Sequence, residues 1–260
     1  MATERTVAIR GGAVSFRVLS AGAGSPVVYF HSFHDREPFL PFLERLAGRH
    51  TVYAPAHPGA AGSTGVETLD DLLDLTLAYD ELLSALDLPS AHLIGHFFGA
   101  MVAAEIAAVF PRRASRLVLI SPLGLWRDDA PSADVATLPQ DDLVRAMWAD
   151  PDSEAARRWA AEPADEDESA AAQIESVQRR AAMAKFVWPI PDKGLRKRLH
   201  RIAAPTLVLW GDRDRVNPLP YAEEWTHRIK GAALSMRPGG HMIHQEAPEV
   251  VASAVEEFLR

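Results

Sequence analysis

The stretch Leu93-Ile94-Gly95-His96-Phe97-Phe98-Gly99-Ala100 holds the pattern in this chain that bears most directly on chemistry. An apolar run ends in Gly-x-x-x-Gly and passes straight into a helix-forming segment, Met101 to Phe110. Two glycines at that spacing let the backbone turn sharply and let helix and strand approach closely, so the middle residue stands alone above a sheet edge. Such a turn suits a nucleophile. The middle residue here is Phe97, and a phenyl ring cannot attack a carbonyl. Histidine is the second resource. Ten are present, and His31-x-x-His34 and His241-x-x-His244, with His57 and His96, have spacings that a divalent metal accepts. No carboxylate spacing completes such a set, so no metal is expected.

The elements that must position these groups alternate along the chain. Thr6 to Arg10 and Ala13 to Leu19 read as strands joined by a turn at Gly11-Gly12. Pro26 to His31, Thr51 to Pro55, Arg116 to Ser121, Pro205 to Gly211 and Ala233 to Arg237 read as further strands, several of them continuous apolar runs buried on both faces. A loop from Ser32 to Glu37 precedes a helix with Phe39, Phe42, Leu43 and Leu46 on one face, and Ala56 to Gly65 forms a second loop. Leu69 to Leu86, Tyr221 to Ile229 and Pro248 to Leu259 are helical. Between Leu123 and Arg201 only helical patterns occur, clearest at Asp141 to Asp150, Ser153 to Ala161 and Ser169 to Lys185, while acidic Glu162 to Glu168 reads as solvated loop. Strands alternating with helices predict a mostly parallel sheet covered on both faces.

This layout resembles the α/β-hydrolase family, whose elbow reads Gly-x-Ser-x-Gly, with Phe97 standing where that family has its serine. The resemblance implies an α/β fold with a mostly parallel eight-stranded sheet flanked by helices. It divides the chain into a core of residues 1–122 and 203–260 and an inserted helical cap of residues 123–202. Gly211-Asp212-Arg213-Asp214 matches the family's acid motif and assigns the acid to Asp214. Gly240-His241, with Glu246 and Pro248 following, matches the surroundings of its catalytic histidine, His241. By the same resemblance the backbone amides of Phe33 and Phe98 form an oxyanion hole, which survives side-chain changes. Ser32 replaces a family glycine and reads as a loop-capping hydroxyl or a substrate contact. The loop Pro55-Ala-His-Pro-Gly-Ala-Ala-Gly-Ser63 lacks the family's Asp and one of its glycines. Ser63 and Ser121 read as structural. Ser32, His34 and His96, with Trp126 and Trp188 from the cap, are expected to line an apolar pocket.

An intact His–Asp pair without a serine leaves three functions open. The pair acts as general base on a small apolar carbonyl compound in lyase, isomerase or cofactor-free oxygenase chemistry. Alternatively, Ser32 or an activated water hydrolyses esters, lactones or C–C bonds. In the third case the capped pocket binds a ligand without turnover. No cofactor is called for. The net charge of −8 disfavours nucleic acid and membrane surfaces as partners. Cysteine is absent, which removes disulfide and thiolate chemistry, and the chain shows neither an apolar signal segment nor a membrane-length apolar run, so the cytoplasm is the expected location.

Overall fold

Strands that are apolar at successive positions must be covered on both faces, and helices on each side of one sheet satisfy that requirement. The computed structural model describes residues 2–36 and 39–260. Glu37, at the end of the loop expected from Ser32 onward, lies outside the described residues. The strands are β1 (Thr3–Ile9), β2 (Val14–Ala21), β3 (Ser25–Phe30), β4 (His50–Pro55), β5 (Ala91–His96), β6 (Ala114–Ile120), β7 (Thr206–Gly211) and β8 (Ala233–Arg237). The helices are α1 (Pro41–Leu46), α2 (Leu72–Ala85), α3 (Phe98–Val109), α4 (Gln140–Met147), α5 (Glu154–Ala160), α6 (Glu166–Val187), α7 (Leu219–Arg228), α8 (Ile243–Glu246) and α9 (Pro248–Leu259). They build one eight-stranded sheet in the order β1-β2-β4-β3-β5-β6-β7-β8. β2 runs antiparallel to β1 and β4, and all other neighbours are parallel.

Side chains alternate between the two faces with the period of two that a strand imposes. On β6, Leu117 and Leu119 join the core shared with α2 and α3, while Val118 and Ile120 join the core shared with α1 and α9. β3 divides in the same way, with Val28 and Phe30 on the first face and Val27 and Tyr29 on the second. The result is a sheet whose central strands end beside one another at β3, β5, β6 and β7.

The helices between β6 and β7 follow the expected positions, with one correction. Glu166 to Glu168 are the first turn of α6, not loop, and Asp165 caps that turn by accepting from the amides of Asp167 and Glu168. Carboxylates are favoured at a helix N-terminus by its partial positive charge. Helix α8, four residues long, has no periodicity to betray it and was not anticipated.

Candidate active site

The turn between β5 and α3 is as tight as its glycines allow. A Cβ on Gly99 would overlap the carbonyl oxygen of Phe30, and one on Gly95 would overlap the backbone of Gly99 and Ala100. Only glycine permits this crossing of helix and strand. Phe97 itself sits at φ 50°, ψ −108°, a strained conformation for a residue with a side chain. The surrounding backbone holds it there. The Phe97 amide donates to the Ile120 carbonyl (3.0 Å), and its carbonyl accepts from Met101 (3.1 Å) and Leu123 (3.1 Å). The elbow geometry therefore persists without a nucleophile on it.

The loops after β7 and β8 supply the pair expected from the sequence. Asp214 accepts from the amides of Val216 and Asn217 (2.9 Å each), which fixes its carboxylate. Its second oxygen meets His241 Nδ1 at 2.9 Å. Both side chains are buried. A proton on Nδ1 satisfies this contact and leaves Nε2 as the basic nitrogen. That nitrogen has no hydrogen-bond partner among the described residues. The Phe97 ring stands at 4.6 Å from the imidazole and perpendicular to it (88°), on the side of the elbow where a serine hydroxyl would project.

Aromatic packing continues outward. Phe33 meets Phe97 edge-on at 5.4 Å and Phe98 at 5.9 Å. Phe98 opens α3, so its amide has no acceptor within the helix. On the far side of Phe33 lies an apolar cavity of about 210 Å³, walled by Leu123, Trp126, Ala184, Val187, Trp188 and neighbours. Trp126 and Trp188 are therefore both in the wall of this cavity. His241 and Phe97 are not among the residues lining that cavity; Phe33 lines it, its ring meets Phe97, and Phe97 in turn meets His241. Two contacts tie the helical segment to this floor: Trp159 Nε1 donates to the His34 carbonyl (2.8 Å), and Phe186 stacks on Phe98 (6.3 Å).

Three residues expected in the pocket lie elsewhere. Ser32 is fully buried and its hydroxyl accepts from the His34 amide (3.1 Å), a turn-capping role. His34 packs beside Phe33 and Trp159 and lines none of that cavity. Burial, then the neighbouring His241 and Arg179, push its imidazole down to about 3, so it is neutral at physiological pH. His96 points beneath the elbow, where Nε2 donates to the His241 carbonyl (3.1 Å). Side chains on adjacent strand positions face opposite ways, and a residue next to the elbow position cannot share its face.

Sequence reasoning missed a polar group below the site. Asp35 is buried, and its carboxylate accepts from the Tyr29 hydroxyl (2.7 Å), the Ser32 amide (2.9 Å), His244 Nε2 (2.8 Å) and Gln245 Nε2 (3.0 Å). Burial alone would raise this carboxyl. The charge and hydrogen bond of His244, with His96 and the Ser32 amide, outweigh burial and hold it below the usual carboxylate range. His31 and His57 form a separate stack (4.1 Å), in which His57 Nε2 donates to the His31 carbonyl and the Tyr79 hydroxyl reaches His57 Nδ1. His31 and His57 therefore stand apart from His96, His241 and His244, which cluster beneath the elbow. An acid four residues beyond His31 in a loop gave no sequence signal of burial.

The model of the alpha/beta hydrolase family matches residues 18–254. The chain belongs to this family. It is 30% identical over 257 residues to a Pseudomonas putida protein, the dihydrolipoyllysine-residue acetyltransferase component of the acetoin cleaving system. That match takes in 93% of this chain, which spans 65% of the length of that relative. A 2-hydroxy-6-oxo-6-phenylhexa-2,4-dienoate hydrolase of Burkholderia cepacia is 25% identical over 275 residues, covering 95% of this chain and 93% of that protein. The solved structure of the enzyme bearing that name from Rhodococcus sp. strain RHA1 superposes over the whole of both chains with a TM-score of 0.82 at 20% identity, a likeness of fold. Enzyme names prevail among these relatives, and no helix of the described residues is long and apolar enough to cross a membrane.

Proposed function

We propose that this family member works without an acyl-enzyme, using His241 as a general base oriented by Asp214 on a small apolar carbonyl compound. One observation carries the reading. Nε2 of His241 is a buried, aligned, basic nitrogen with no partner among the described residues. Leaving a polar atom in that state costs about 1–3 kcal/mol, a cost expected where the atom has work to do. The Phe98 amide at the start of α3, with that of Phe33, is suited to stabilising an enolate-like oxygen formed when the base removes a proton. Substrate enters from the apolar cavity, and rotation of Phe33 and Phe97 opens the path to Nε2. Ser32 is a poor nucleophile in this reading, because its hydroxyl caps a turn.

Proton exchange tests the proposal directly. Small ketones and 1,3-diketones in D₂O are followed by NMR with the wild type and with His241→Ala. The expected result is α-deuteration about 10²–10⁴-fold above buffer, abolished in His241→Ala. Exchange that is equal in both proteins sinks the general base. The closed state of the His–Asp pair favours one other reading, a binder that retains the fold and not the chemistry. Ligand affinity unchanged by His241→Ala, without exchange, would establish it.

A further inference from the structure

The sequence offered histidines at metal-like spacing and no carboxylate to complete them. Folding supplies the carboxylate. Asp35 from the loop after β3, His96 from the end of β5 and His244 from α8 each turn one ligand-type atom toward a common point, all within 4.8 Å of one another and all buried. We propose that these three side chains form a divalent transition-metal site, of the zinc class, beneath the elbow. The inference is independent of the role given to His241.

His96 uses its Nε2 proton on the His241 carbonyl (3.1 Å), so in the neutral ring Nδ1 is a bare lone pair. That lone pair has no hydrogen-bond partner among the described residues and faces Asp35 Oδ1 at 3.8 Å. The lone pair and the carboxylate oxygen oppose each other in a dry site, while His244 Nε2 donates to that same oxygen at 2.8 Å and becomes a ligand atom when its proton passes to that ring's Nδ1, which has no partner among the described residues. A cation between them removes the conflict.

Geometry and surroundings fit the same occupant. A tetrahedral ion with N and O ligands near 2.0–2.1 Å separates its ligand atoms by about 3.3 Å, and the observed 2.8 and 3.8 Å bracket that value. The third separation, between the two histidines, is within 4.8 Å, so side-chain adjustment on binding would close the set. The supporting shell is already in place. A ligating histidine ordinarily donates its other N–H to a carbonyl or carboxylate, as His96 does to His241. The second oxygen of a ligating carboxylate is ordinarily hydrogen-bonded, as that of Asp35 is by the Tyr29 hydroxyl and the Ser32 amide. Two imidazoles and one carboxylate select zinc, cobalt or nickel over calcium or magnesium. Such an ion would clasp the β3 loop, the end of β5 and α8 together directly below Phe97 and His241.

The test uses the full chain, because the site is closed and metal must be present during folding. Wild type, His244→Gln, Asp35→Asn and Tyr29→Phe are refolded from denaturant with zinc or cobalt(II), desalted, and measured by elemental analysis and visible absorption. Wild type is expected to keep about one equivalent and, with cobalt, to show the d–d bands of a four-coordinate N/O site. His244→Gln and Asp35→Asn lose both, and Tyr29→Phe binds about 10–100-fold more weakly. The inference is overturned if folded wild type retains no metal, or if folded His244→Gln retains as much as wild type. In the first case the three groups share a proton. In the second the ion sits on other histidines. Should the substituted chains fail to fold, the cobalt spectrum of the wild type decides: tetrahedral bands support the site, and their absence excludes it.

Discussion

Replacing Phe97 by alanine and by glycine should reverse the usual order of stability of those two residues. The ring is 2% exposed and packs on Phe33 and His241, so either truncation removes the same buried contacts and costs about 3–5 kcal/mol. The two variants then differ only in backbone terms. Alanine keeps the strained φ of 50° and ψ of −108°, worth about 1–3 kcal/mol, whereas glycine occupies that region freely. Glycine also gains freedom in the unfolded chain, which offsets about 0.5–1 kcal/mol of the relief. The net expectation is that Phe97→Gly is more stable than Phe97→Ala by up to about 2.5 kcal/mol, opposite to the order in ordinary helices and strands. Urea unfolding at equal slope for both variants measures it. If Phe97→Ala is at least as stable as Phe97→Gly, the elbow is relaxed, and strain at residue 97 has no part in the site.

Other perturbations follow from the same geometry. Phe97→Ser should confer hydrolysis of short p-nitrophenyl esters that wild type lacks, and adding His241→Ala should remove it; activity of the serine variant that survives His241→Ala would show that the pair is misaligned. Gly99→Ala forces a methyl group into the Phe30 carbonyl, so a loss of about 3 kcal/mol or more is expected, read as a fall in thermal midpoint or as failure to fold. His34 is neutral when folded, with its value near 3, and takes up a proton near 6.5 when unfolded. Its contribution is therefore complete above about pH 6.5 and is lost as pH falls toward 3, amounting to about 2–3 kcal/mol between pH 6.5 and 4.5. His34→Gln should flatten the urea-midpoint profile by that amount over the window, and an unchanged slope would contradict a neutral His34.

Much of this molecule could be read from its residues, and the gaps have physical causes. Apolar runs such as Val27 to Phe30 and Leu117 to Ile120 announce doubly covered strands, because every position is buried against one layer or the other. Gly95 and Gly99 announce the turn, because no other residue fits the crossing. The starts of helices were harder. Asp71 caps α2 by accepting from the Asp74 amide, whereas periodicity alone carried the expected helix back to Leu69. Direction was hardest of all. His96 and Ser32 were placed by closeness in sequence to the elbow and the β3 loop, but pleat and turn capping send their side chains away from the cavity. Asp35 was invisible for a related reason: its partners, Tyr29, His244 and Gln245, include residues some 210 positions away along the chain.

The fate of a lost nucleophile is decided by what the rest of the site does afterward. A site with no remaining task would be expected to shed its costs, since small substitutions relieve each of them. Glycine at residue 97 would remove the backbone strain, and any apolar residue at 241 would remove the unpartnered nitrogen. Here both costs persist within one ring contact of each other, at about 1–3 kcal/mol apiece. Asp214 still receives both of its amide hydrogen bonds and still fixes Nδ1 of His241, and His96 still anchors the His241 carbonyl from below. Local rules broken together at one point, with their support intact, are what the proposed general-base role requires. The rings of Phe33 and Phe97 link His241 to the cavity under α6, so under the proposed function their rotation is the step that would bring a ligand to Nε2.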